Sequence, residues 1–154
     1  MAAPAMSHII CSLALVTLIF VLPIVYGSVI SNIEADMIER ELGEIADYVS
    51  NTFENSYFLA NSTENLNFNL KKELLYLPAT VENHVYVLNI TEDSGSASRI
   101  SAYLKNKPQI ASEAWLARGL LVGEGTSVES GQSAVFTGCH RNETGVYVRL
   151  SYGS

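Results

Sequence analysis

The chain has 154 residues, 48% of them hydrophobic, two cysteines and a formal net charge of −7. Apart from one apolar run near its start, it has the length and composition of a single ordinary domain, neither disordered nor collagen-like. Its acidity disfavours phosphate backbones as partners, so no nucleic-acid role is expected.

Residues 1–8 form a short flank, and Ile9–Ile30, "IICSLALVTLIFVLPIVYGSVI", follows with 22 residues and no charge. A hydrocarbon core about 30 Å thick is crossed by about 20 helical residues. The run therefore predicts a transmembrane segment, with the lipid bilayer as its first partner. A cleaved signal is the alternative, and Val25-Tyr26-Gly27 before Ser28 offers a tolerable site. Against it, the flank "MAAPAMSH" carries no Lys or Arg, and the apolar core exceeds the roughly 7–15 residues of a signal peptide. The expectation is a retained single-pass anchor in the cell membrane. Pro23 lies inside the run, where membrane helices tolerate proline. Cys11 belongs to the run and Cys139 does not, so no bridge between them is expected, and Cys139 reads as a packed thiol.

No breaker stands between residues 31 and 60: there is no proline, and Gly43 is the only glycine. Ile33, Met37, Ile38, Leu42, Ile45, Val49 and Phe53 recur at helical spacing. They predict a stripe for helix–helix or helix–sheet packing on an amphipathic extension of the same helix. The simpler expectation is packing on the chain's own C-terminal domain; the heptad-like spacing of Ile38 through Val49 also permits a bundle with other copies. Seven acids in this segment face one base, Arg40, a net −6, and Asp36 stands at i,i+4 to Arg40 as its expected partner.

Residues 61–154 predict a small β domain. "NSTENLNFN" reads as the loop that ends the helix, and "LKKELLYLP" as a short helix or strand stopped by Pro78. "HVYVLNIT" and "RISAYLK" alternate and predict an antiparallel hairpin, with Ile100, Ala102 and Leu104 inward. "AWLARGLLVG" supplies one or two short strands, and "SAVFTGC" and "GVYVRLS" are strands joined by "HRNET". Tyr86, Tyr103, Trp115, Phe136 and Tyr147 read as core or half-core residues. Five to seven short strands follow, and the fold class is α+β: a long N-terminal helix, then a small antiparallel sheet or β-sandwich.

Three N-glycosylation sequons, at Asn61, Asn89 and Asn142, all lie beyond the apolar run. Glycosylation happens outside the cytoplasm, so they favour an extracellular C-terminal domain. No His/Cys/Asp grouping has metal spacing, "GEG" lacks a phosphate loop's lysine and helix, and "GTSVESG" is a turn sequence. Neither an enzyme nor a cofactor is expected.

The long helix Ile9–Leu59, the strand-bearing stretch "YLPATVENHVYVLNIT" and the small β domain behind them together resemble type IV pilin-like proteins. The similarity is greatest to archaeal pilin-like and archaellum-associated secretory proteins, including the stator proteins that contact the surface layer. The resemblance implies a cell-surface protein of structural, adhesive or envelope-attachment role, with self-association or surface-layer proteins as partners. A polymerising filament subunit and a ligand-binding module are the alternatives. Pilins carry a charged, glycine-containing processing site and an early glutamate; "MAAPAMSHII" has no Lys, Arg or Gly, and no acid precedes Glu34. That departure favours a standing membrane protein over a filament subunit.

Overall fold

The computed structural model describes residues 3–63, 67–93 and 97–153. The middle of the Asn-rich loop and the centre of the turn expected after the first hairpin strand lie outside them. The chain divides into two compact units, Met1–Met37 and Ile38–Ser154. One α-helix, α1 (Ala3–Ser62), contributes to both and continues through Pro23. It starts and ends a few residues beyond the apolar pattern. Asn61 therefore belongs to its last turn rather than to the loop.

Among the described residues of the first unit α1 is the only element. Its side chains are exposed from Met6 through Met37, with only Ala35 half-buried. No second element among the described residues of the unit covers its apolar surface.

The second unit holds the rest of α1 and eight strands: β1 (Asn69–Glu73), β2 (Tyr86–Asp93), β3 (Ala97–Leu104), β4 (Lys107–Trp115), β5 (Leu120–Val122), β6 (Ser127–Glu129), β7 (Val135–Asn142) and β8 (Gly145–Tyr152). They form two four-stranded sheets, ordered β1-β7-β8-β5 and β4-β3-β2-β6. The second is antiparallel throughout, with Leu88 facing Ala102 on β3 and Val128 on β6. The first is mixed: β5 runs parallel to β8, Leu121 opposite Tyr147. The α+β arrangement of a long helix and antiparallel-rich sheets is as expected, with one parallel pair at an edge. A parallel neighbour needs a long crossover, here the path through β6 and β7, and local patterning does not reveal such a connection.

Alternation sets which face of each sheet is buried. Tyr86, Leu88, Ile90, Ile100, Ala102 and Leu104 turn inward from β2 and β3, and Cys139, Val146, Val148 and Leu150 from β7 and β8. They share one core with Ile38, Leu42, Ile45, Val49 and Phe53 of α1. The helix approaches closely where side chains are small. A Cβ on Gly43 would stand 3.1 Å from Ser112 Oγ of β4, and Ser50 Oγ donates to the Trp115 carbonyl at 2.7 Å.

Trp115 was expected in the core and is instead 62% exposed. Its neighbours Ala114 and Leu116 are both buried, so the strand's alternation turns Trp115 outward. Tyr86 is buried, while Tyr103, Phe136 and Tyr147 are half-buried. His140 and Arg141, expected in a loop, extend β7, and the β7–β8 connection shrinks to a tight turn at Asn142–Gly145.

Before β2 the chain folds back between Val81 and His84, whose backbones exchange hydrogen bonds of 2.9 and 2.8 Å. Glu82 and Asn83 both have positive φ, 45° and 62°. Two such residues mark the I′ hairpin turn, whose twist matches that of the flanking chain.

Candidate functional site

Three features carry functional information: the exposed apolar helix of the first unit, the packed helix of the second, and the acceptor asparagines.

In the first unit every large apolar residue from Ile9 to Ile30 is between 44% and 73% exposed. The most apolar 18-residue window of the helix has a mean hydropathy of 2.7 and no burial. By length and composition this segment is able to cross a membrane once. Cys11 is a free, exposed thiol within it.

The predicted stripe divides at the unit boundary. Ile38, Leu42, Ile45, Val49 and Phe53 are buried in the second unit's core, whereas Ile33 and Met37 are 53% and 52% exposed in the first. The stripe thus performs helix–sheet packing only from Ile38 onward. Arg40 pairs with Glu44 at 3.6 Å rather than with Asp36. Both spacings are i,i+4, and the pair is too exposed to matter much for stability.

The helix C-terminus is closed by a residue that sequence reading placed in a loop. No basic residue stands in the last turn of α1. Arg141 of β7 supplies the cation instead, its Nη1 donating to the Ala60 carbonyl at 2.7 Å and the Thr63 carbonyl at 2.8 Å. The hydroxyls of Ser62 and Thr63 both donate to the Leu59 carbonyl at 2.9 Å. Orphan carbonyls and the negative end of the helix dipole are satisfied together. Only the outward alternation of "TGCHRN" could have hinted that Arg141 continues a strand.

The same contact gathers two of the three sequons. Asn61 lies in the last turn of α1 and Asn142 directly follows Arg141, so both occupy one end of the second unit. Asn61 is exposed. The Asn142 Oδ1 accepts from the Thr144 amide at 3.0 Å, the Thr144 hydroxyl at 2.6 Å and the Gly145 amide at 3.1 Å. That arrangement builds the turn with the carbonyl oxygen and makes no use of Nδ2, the atom to which N-glycosylation of an asparagine would attach. Asn89 sits apart, half-buried in mid-β2 between Ser101 and Ser127.

Among the described residues no group of three or more His, Cys, Asp or Glu side chains is placed to hold a metal ion. Cys139 is buried, its Sγ 3.9 Å from the Ser56 carbonyl, and burial pushes its thiol pKa up, away from the reactive thiolate. His140, next in sequence, is exposed on the opposite side of the strand, so it does not activate that sulfur. Compared with known protein families, curated proteins and solved structures, the chain matches none.

Proposed function

We propose that the protein is a single-pass membrane protein whose β domain stands outside the cell and serves structure, adhesion or envelope attachment, as in the pilin-like proteins it resembles. The observation that carries this reading is the uncharged run Ile9–Ile30, exposed along its whole length. In water it would present an apolar surface far beyond the few hundred Å² that soluble proteins leave open. Lipid covers such a surface, and a continuous helix satisfies its own backbone groups except the Ile19 carbonyl, whose donor Pro23 lacks, a gap that membrane helices tolerate. The three sequons beyond the run support the outward orientation of the domain.

The second reading is a filament subunit, in which helices of neighbouring copies replace lipid. The exposed Ile33 and Met37, which carry the apolar surface past Ile30, favour it. Intact mass and N-terminal sequencing of the protein from its native membrane test the anchor. A start near Ala2 supports it, and a start at Ser28 overturns it. Glycan mass on Asn61, Asn89 or Asn142 supports the external domain; protease protection of the domain in right-side-out membranes overturns it. Recovery of the chain in sheared surface filaments replaces the first reading with the second.

A further inference from the structure

The outward face of the β1-β7-β8-β5 sheet carries a group of polar side chains that neither anchoring nor packing uses. Asn69 pairs with His140, and His140 with Tyr147, so the three form one row across β1, β7 and β8. In the next row Lys71, Gly138 and Arg149 are partners. With Asn142, Arg149 and Glu124, the first row lines an open cleft of about 390 Å³, within the size range of small-ligand sites.

One detail fixes the path of the Arg149 stem. A Cβ on Gly138 would lie 2.8 Å from both Cγ and Nε of Arg149, so the arginine stem lies across β7 at the one residue type that admits it. Among the described residues the ion pairs are Arg40–Glu44, Arg99–Glu113 and Lys105–Glu129. Arg149 and Lys71 take no part in any of them, although the chain carries 16 acids against nine bases. Lys71 Nζ instead stands 4.4 Å over the Phe136 ring. Arg149 makes none of these pairs, and the cleft sets it beside an amide, an imidazole and an aromatic ring, with Glu124 as the one acid of the lining, a setting that suits a carboxylate brought from outside.

We propose that this cleft binds an anionic saccharide, with Arg149 pairing its carboxylate and Tyr147 offering a ring face for the sugar. Glu124 on the rim selects within the anions: it repels a densely charged ligand and accepts hydroxyl donors, which suits one carboxylate per hydroxyl-rich ring. The site stands on the sheet alone, and it holds whether or not the helix is a membrane anchor.

The test uses the full chain in detergent micelles, produced without N-glycans so that nothing attached at Asn142 occupies the cleft. Tetragalacturonic acid is titrated by calorimetry and by NMR, against its fully methyl-esterified form and against inorganic phosphate. The acid tetramer is expected to bind, to weaken as salt rises, and to shift the signals of Asn69, His140 and Tyr147. Arg149 is exposed, so Arg149→Ala should leave the melting temperature unchanged while weakening binding about tenfold or more. Arg149→Lys should weaken it too, because a point charge replaces the planar fork. The proposal is overturned if the acid tetramer does not bind, if the ester or phosphate binds as tightly, or if Arg149→Ala binds like the unmodified protein.

Discussion

Replacing Arg141 by alanine tests whether a cation lent by the sheet closes the helix. The change removes two hydrogen bonds, 2.7 and 2.8 Å long, from one charged nitrogen to the Ala60 and Thr63 carbonyls. Bonds to a charged donor contribute about 1.5–3 kcal/mol each when buried. Here both share Nη1 and the residue is half-buried, so water recovers part of the loss. The helix dipole adds about 0.3–1 kcal/mol for a cation at the C-terminal turn. The expected destabilisation is about 2–3 kcal/mol. Urea unfolding of the full protein in detergent, followed by circular dichroism, should show a lower midpoint with an unchanged slope. Arg141→Lys keeps the charge but sets its nitrogen one bond short of the Nη1 position, so its midpoint should fall between the two. Amides of the last helical turn should exchange faster in the alanine variant. A change smaller than about 0.5 kcal/mol, the range of ordinary surface substitutions, would refute the cap as a determinant of stability.

Phe53 is fully buried, and Phe53→Ala should cost about 3–5 kcal/mol in the same urea assay, whereas Met37→Ala, exposed in the first unit, should stay within about 0.5 kcal/mol. Burial raises the Tyr86 phenol pKa above its ordinary 10.0, and its hydroxyl donates to the Pro78 carbonyl at 2.7 Å. Since the folded pKa exceeds the unfolded one, this contribution is intact below pH 10 and is lost as the pH rises through the folded value. Melting temperature should therefore fall with alkalinity above the ordinary value of 10.0, less steeply in Tyr86→Phe, which itself should cost about 1 kcal/mol at neutral pH. The Glu82-Asn83 turn has the right backbone with suboptimal residues. Converting it to Asn-Gly should raise stability by about 0.5–1 kcal/mol in thermal unfolding, and a loss would show that Glu82 serves another purpose.

Much of the fold was legible because its signals are local. The absence of any breaker between Ser31 and Phe58 gives the helix, and Ile38 through Phe53 give its buried face. The alternation of "HVYVLNIT" and "RISAYLK" gives the hairpin, with Ile100, Ala102 and Leu104 buried in it as expected. What was not legible depends on partners distant in sequence. β4 has Pro108 near its start and little apolar alternation. It is an edge strand, and the proline falls where its register against β3 shifts, between the pairs Leu104–Lys107 and Tyr103–Ala111. There a missing amide costs no ladder bond. Of the candidate site, the three acceptor asparagines are legible as motifs. The row of Asn69, His140 and Tyr147 is not, because register alone brings these residues together.

The position of β7 has a consequence for how the domain comes into being. Nothing made before it completes its sheet: β1 must wait for a partner more than sixty residues later, and the end of α1 waits for Arg141 on the same strand. The β2–β3 hairpin can form early from neighbours in sequence, whereas the β1-β7-β8 half pays its loop-closure entropy in one late step. A chain emerging at about 5–20 residues per second therefore spends seconds with the end of α1, from Ser56 to Thr63, waiting for Cys139 and Arg141. Interruption before β7 would leave that end of the helix open to foreign partners. The final strands act as the latch of the domain, and truncations there should be met first by quality control and only afterwards by any loss of activity.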